Sequence, residues 1–384
     1  MSVADISMKQ VDAQALDRLL AAARARHEEF SAQTHISADV VQLMKQAGVY
    51  RAMVAKRFGG DELHPSDFLR LIETISEADG ATGWVASFGF SAVYLSSLPL
   101  ATLEAMYADG PDVVFAGGIF PPQPARRVDG GLEVSGRWSW GSGCRGAEVI
   151  GVGVKAEGAG AAVGLPLIAV MPASRVQIVD NWDVIGMRGT GSHDMVVDRV
   201  VVPDEWTFIR GGPSILETPL YRYPSMPLAA QVLAVVGLGV ARASLDYFTG
   251  FAGGRSSITG APVLGTRSYV QTDLAKAEAK LRSARAFLYE ITDQAFDLLR
   301  ADEALDVATC SLLRLAATNA AHVSTEVTQT VYRLSGTAGI TTGSPVARHM
   351  QDAMIVPQHA FLADSIWQNA GKILLGMETT PGFP

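Results

Sequence analysis

The hydrophobic period changes twice along the 384 residues, and this pattern constrains the fold more than any other feature of the chain. Over residues 11–107 apolar side chains return every three or four positions, as in Leu16, Leu19, Leu20 and Ala23, and again in Phe68, Leu69, Ile72 and Ile75. That spacing puts them on one face of successive amphipathic helices. Over residues 112–224 the period falls to two. The runs 113–115, 132–135, 149–154, 167–170 and 195–201 are β-branched and separated by Gly, Pro and Asp turns, which predicts a small antiparallel barrel or sandwich. Beyond Pro224 helical spacing returns in four long segments, about 227–250, 268–300, 305–334 and 345–375. Helices of this length with Ala-rich faces predict an antiparallel four-helix bundle. The expected class is α+β and mainly helical, with an N-terminal helical domain (1–111), a middle antiparallel β domain (112–224) and a C-terminal bundle (225–384).

Composition removes several function classes. With 48% hydrophobic residues the chain has ample material for a core, which excludes intrinsic disorder. A net charge of −8 without a basic block argues against nucleic acid as a partner. Cys144 and Cys310 lie far apart and outside any Cys/His cluster, so neither a disulfide framework nor a metal site is expected. The first ten residues carry no apolar leader, and the most apolar stretches, about 159–171 and 229–241, fall short of the roughly 18 residues that span a bilayer. A cytoplasmic protein without membrane contact is the expectation.

Three segments carry candidate chemistry. The first holds Gly136-Arg137-Trp138-Ser139-Trp140-Gly141-Ser142-Gly143. The second holds Gly186-Met187-Arg188-Gly189-Thr190-Gly191-Ser192 and runs into Val200-Val201-Val202-Pro203. The third is Pro345-Val346-Ala347-Arg348-His349-Met350-Gln351-Asp352-Ala353, followed by Gln358-His359. In this order, between helical flanks, they resemble the flavin-contacting strand and loop, the "G-M-R-G" turn and the "R-D-A" helix of the acyl-CoA dehydrogenase fold. The resemblance extends over essentially the whole chain.

Several site roles follow from that resemblance. An isoalloxazine requires a flat apolar wall and hydrogen-bonding partners along its polar edge. Trp138, Trp140 and Ser142 supply both, unless they are a Trp-rich β core with a turn serine. Thr190 and Ser192 become flavin contacts, and Arg188 either holds a phosphate or caps its turn. Arg255 resembles the arginine that reaches a flavin phosphate across a subunit boundary, since its planar fork grips phosphate oxygens in pairs.

Anchored on Asp352-Ala353, the catalytic glutamate of the dehydrogenases would fall at about Ala360, and no carboxylate stands between Asp352 and Asp364. The base for α-proton abstraction is therefore missing. His359 stands in its place, which resembles the two-component flavin-dependent monooxygenases of this fold. There a neutral imidazole can accept a proton from a phenol or an indole-type N–H, or hydrogen-bond a flavin hydroperoxide. His359 and Ser142 are the expected catalytic residues, the alternative for His359 being a structural loop histidine.

After Gly83-Trp84-Val85, where relatives carry a second histidine, the chain has Phe88, Phe90 and Tyr94. With Trp84 they are expected to bind an uncharged aromatic or polycyclic substrate by ring contacts, although a buried helix with aromatic knobs reads equally well. Leu334-Ser335-Gly336-Thr337-Ala338-Gly339 replaces the adenine-side motif, which favours FMN slightly over FAD.

The resemblance thus implies the oxygenase component of a two-component monooxygenase. It would take reduced FMN or FAD from a separate NAD(P)H-dependent flavin reductase, use O₂ as co-substrate, and hydroxylate a phenolic, indole-like or polycyclic aromatic compound. A homotetramer, or at least a dimer, is expected because the C-terminal helices carry more Ala- and Leu-rich surface than one bundle core needs and because Arg255 would act across a subunit boundary. The alternatives are an FAD-dependent acyl-CoA dehydrogenase with a displaced base and a non-catalytic flavin-fold homologue.

Overall fold

The computed structural model describes residues 12–156, 166–254, 262–380 and 382–384. Its centre is a seven-stranded sheet of β1 (Phe115–Val128), β2 (Gly131–Gly141), β3 (Val149–Ala156), β4 (Leu167–Pro172), β5 (Gln177–Val179), β6 (His193–Val202) and β7 (Thr207–Ile209). The strand order is β5-β6-β2-β1-β3-β4-β7. The expectation of an antiparallel domain needs one correction, because β1 and β3 run parallel, with Phe115 opposite Val149. The chain leaves β2, makes the 3-10 turn Cys144–Gly146 and re-enters beside the start of β1 rather than its end. Most of β1 escapes period-two reading because Gly117, Gly118, Pro121, Pro122 and Pro124 interrupt it. A register shift between Gly118 and Gln123 absorbs Pro121 and Pro122, which cannot donate to a ladder, and pairing resumes at Gln123, with Pro124 opposite Lys155.

The N-terminal helices are set by their caps. Asp12 accepts from the amides of Gln14 and Ala15 at the start of Ala13–Gln33. Asp79 ends Pro65–Ala78 and begins Gly80–Ser87, its Oδ2 accepting from the amide and the hydroxyl of Thr82, both at 2.8 Å. This double cap fixes the direction in which the second helix presents Trp84.

Ser225–Ala252 is long and apolar enough to cross a membrane, but 89% of its most apolar window is buried inside the protein, so it is the core helix on which the others pack. Pro65–Ala78 crosses it closely at Gly239, where a Cβ would lie 2.4 Å from the Glu73 carbonyl oxygen. The last segment read as a single helix, 345–375, is two helices, Pro345–Ile355 and Asp364–Leu374. Pro357 has no amide hydrogen with which to continue the first, so the chain passes through the 3-10 turn Val356–Gln358 into a loop that holds His359.

Of the residues read with the β domain, Arg210 still bonds the Pro166 carbonyl beside the sheet, whereas Tyr221 and Tyr223 reach the helical parts of the chain. The Tyr221 hydroxyl donates to the Met53 carbonyl at 2.8 Å, and that of Tyr223 to Gln231 at 2.9 Å.

Candidate active site

A cavity of about 490 Å³, open on one side, lies where the helix Gly80–Ser87, the sheet and the loop after Pro357 meet. This size suits a drug-sized organic ligand. Trp84, Phe88, Phe90, Tyr94, Trp140, Ser142, Thr190, Ser192 and His359 all line it. Nine of the sequence-predicted positions, spread over 276 residues of chain, therefore converge on one space.

Two predicted residues lie elsewhere. Trp138 is 0% exposed, donates through Nε1 to the Gly153 carbonyl at 2.8 Å and belongs to a separate apolar core of the sheet. In an unbroken strand Trp138 and Trp140 would share a face. The register shift between Trp138 and Gly141, with Trp140 at φ 68°, separates them and leaves Trp140 66% exposed at the cavity wall against Trp182. Arg188 is also off the cavity. Its guanidinium binds Ser31 O, Asp183 and Val184 O, so it closes its own turn rather than facing a phosphate. Arg255 lies outside the described residues.

The polar end of the cavity is a directed chain of hydrogen bonds. Trp84 Nε1 donates to Ser142 Oγ at 3.2 Å, Ser142 and Ser192 hydroxyls meet at 2.7 Å, and Ser192 and Thr190 hydroxyls meet at 2.7 Å. Thr190 Oγ1 in turn donates to the Met187 carbonyl at 2.9 Å. Because the Thr190 proton is committed there, Ser192 must donate to Thr190 and Ser142 to Ser192. All three hydroxyl protons are thus spent, and each oxygen retains one lone pair.

The turn that carries this chain is held from behind. Met187 stands at φ 55°, a conformation disfavoured for a long side chain, and its amide donates to Asp352 Oδ1 at 2.6 Å. Burial, and then the nearby Asp79 carboxylate, push Asp352 up to about 7. Gly186 permits the contact, since a Cβ there would sit 2.3 Å from the Gln351 carbonyl oxygen. In the sequence Asp352 served only to align the helix; its pairing across 165 residues carries no local signal.

His359 lines the same cavity as the hydroxyls and stands edge-on to Trp84 at 6.0 Å and to Phe361 at 4.7 Å. Its Nδ1 accepts from the Phe361 amide at 3.2 Å, which assigns the proton of the neutral ring to Nε2. Desolvation, and then the positive charge of Arg210, lower it to about 4. The ring is therefore neutral near pH 7 and acts as a donor. Of the two roles read from the sequence, hydrogen bonding to an oxygen fits this tautomer; acceptance of a substrate proton does not.

The sequence reading missed Arg210, a cation in the cavity wall. The expectation of an uncharged substrate was drawn without this guanidinium in the wall. Among the described residues that line the cavity there is no Asp or Glu, and Ala360 occupies the position where an α-proton base would stand. The walls fit a reduced flavin: aromatic and apolar surfaces enclose a ring-sized space, and the free lone pairs of Ser142, Ser192 and Thr190 suit a donor such as the N5–H that only the reduced ring carries.

Residues 231–364 match the family model described as acyl-CoA dehydrogenase, C-terminal domain. The chain is 52% identical over 360 residues to an indole-3-acetate monooxygenase of Pseudomonas putida, a match that covers 94% of this chain and 92% of that one. Among solved structures, XiaF from Streptomyces sp., in complex with FADH2 and glycerol, superposes with a TM-score of 0.89 at 20% identity, over 97% of this chain and 96% of that one. TdsC from Paenibacillus sp. A11-2, in complex with FMN and indole, superposes with a TM-score of 0.80 at 19% identity, over 96% and 98%.

Proposed function

Because the chain belongs to the family of the indole-3-acetate monooxygenases, flavin-dependent oxygenase components built on the acyl-CoA dehydrogenase fold, we propose that it hydroxylates an indole bearing a short carboxylate side chain. The enzyme is the oxygenase half of a two-component flavin-dependent aromatic monooxygenase. The observation that carries the reading is the cavity that His359 lines together with three acceptor hydroxyls, with no carboxylate among the described residues of its wall.

Reduced flavin supplies the electrons that activate O₂. In our reading Ser142, Ser192 and Thr190 hold its polar edge as acceptors, and Trp140 covers the open side. Trp84 keeps Ser142 oriented through its N–H, while Arg255 takes the phosphate. His359 donates from Nε2 to the oxygen being transferred and steers it toward the substrate ring. Phe88, Phe90 and Tyr94 pack the ring, and their apolar bulk excludes the water that would divert oxygen into H₂O₂. FMN meets these requirements, since the contacts assigned in the cavity need only the ring system.

The test is single turnover. Protein mixed with chemically reduced FMN, indole-3-acetate and oxygenated buffer should yield hydroxylated indole, and an acyl-CoA thioester should leave oxidised flavin unreduced. Product absent under these conditions, or flavin reduction by the thioester, overturns the reading.

The spent hydroxyl protons also predict selectivity for the redox state. An oxidised N5 is an acceptor and meets only acceptors, so reduced FMN should bind at least about tenfold more tightly, a difference equal to about one hydrogen bond. Anaerobic titration against oxidised FMN measures the ratio, and Ser142→Ala should shrink it. With a separate NAD(P)H-dependent reductase as partner, the chain alone should oxidise NADH no faster than free flavin does.

A homo-oligomer, with a tetramer expected, would cover the apolar side chains that the helices leave exposed, among them Tyr247, Tyr269, Trp367 and Leu374. Sedimentation at micromolar concentration should show no stable monomer.

A further inference from the structure

Arg210 follows β7 directly and is 6% exposed. One terminal nitrogen donates to the Tyr94 hydroxyl at 3.1 Å, and the guanidinium carbon lies 4.5 Å from the centre of the Phe361 ring and 5.2 Å from that of Tyr94. Its Nε is buried without a partner, and among the described residues no carboxylate pairs with it. A second arginine, Arg314, is 4% exposed behind Phe361, 6.0 Å from the ring centre, also with a buried Nε that lacks a partner. Burial lowers Arg314 to about 10, the nearby Tyr94 opposing the shift and the charge of Arg210 adding to it.

A buried guanidinium normally keeps a carboxylate beside it, because an unpaired charge in a low-dielectric site is expensive. Around the Arg210 guanidinium the described residues supply only ring faces and one phenol oxygen. Tyr94 uses an oxygen lone pair to accept from Arg210, so its own proton remains available to an acceptor. A donor fork, a free hydroxyl proton and a surplus of positive charge together form a receptor for a carboxylate.

We propose that Arg210 and the Tyr94 hydroxyl anchor the carboxylate of an aromatic-acid substrate and thereby set its ring between the aromatic wall and His359. The proposal rests on the monooxygenase reading above and deepens it, making the acid group, not only the ring, a requirement for productive binding. Tyr94 becomes a donor as well as a ring contact. Arg314 is a positioning residue that holds the field positive from behind Phe361.

The experiment compares two ligands of nearly equal ring shape, indole-3-acetate and 3-methylindole. Binding of each to the flavin-free protein is measured by calorimetry for wild type, Arg210→Lys and Arg210→Met, with thermal melting as the check on folding. Wild type should prefer the acid. Arg210→Met should weaken indole-3-acetate by about 100-fold, the range for loss of a charge-assisted pair, and 3-methylindole by far less. Arg210→Lys retains charge without the fork and should fall between.

Equal affinity of wild type for the two ligands, or an equal loss of both in a variant that melts like wild type, overturns the proposal. If Arg210→Met does not fold, the wild-type preference and its reduction in Arg210→Lys decide the matter. Failure of the wild type to hydroxylate either compound with reduced flavin and O₂ would instead defeat the monooxygenase reading, and it is scored separately from binding.

Discussion

His359→Ala should bind reduced flavin and consume O₂ at rates near wild type, yet release H₂O₂ in place of hydroxylated product. The reason lies in the position of the ring. Its Nδ1 is tied to the Phe361 amide and its Nε2 proton is left free to donate, so alanine removes the group that steers oxygen without removing any member of the hydroxyl chain. Loss of a proton-donating group of this kind reduces the rate by about two to four orders of magnitude, and the same factor should appear in coupled product formation. Product and H₂O₂ quantified together against O₂ consumed provide the measurement. Full coupling in the variant would make His359 structural. The wild type carries a second signature: with His359 lowered to about 4, its neutral form persists far below the ordinary histidine range. Coupling should therefore show no histidine-type loss between pH 8 and about 5.5 and should decline only toward pH 4.

Asp352 gives the largest expected effect on stability. The folded protein holds its carboxyl protonated up to about 7, whereas an unfolded aspartate releases the proton near 4. Between those values the native state binds more protons than the unfolded state, so stability falls as pH rises through the window. The full penalty, on the order of a few kcal/mol, is present above about pH 7. Asparagine can still accept from the Met187 amide and has no proton to release. The urea midpoint of Asp352→Asn should thus gain on wild type between pH 5 and pH 8; a constant difference would mean that Asp352 is ionised throughout. Asp352→Ala shares that pH dependence, having no carboxyl to ionise, but leaves the Met187 amide without an acceptor, so it should lie about 1–3 kcal/mol below Asp352→Asn at either pH. It should also weaken reduced-flavin binding, because the turn that carries Thr190 and Ser192 loses its support.

What the sequence by itself determined is local. The three zones are recorded in hydrophobic period, which is a property of neighbours within one turn or one strand. Ser142, Thr190 and Ser192 stand in glycine-rich turns whose residues identify them, and His359 stands where the chain offers no carboxylate for eleven positions. Even the break before His359 is written as Pro357, although the helical pattern around it conceals the interruption. What only the tertiary structure decided depends on residues distant in the chain. A bulge in the β2–β6 pairing parts Trp138 from Trp140, two residues that alternation alone would put side by side. Arg188 and Arg210 are indistinguishable as letters. One is spent on its own turn, and the other meets Tyr94 across 116 residues at the wall of a cavity. The tautomer of His359, the raised carboxyl of Asp352 and the unpaired charge of Arg210 all arise from desolvation and from which dipoles and charges packing brings near. Those quantities belong to the assembled surroundings of a group rather than to its place in the sequence, and they separate a residue that fills the fold from one that carries the chemistry.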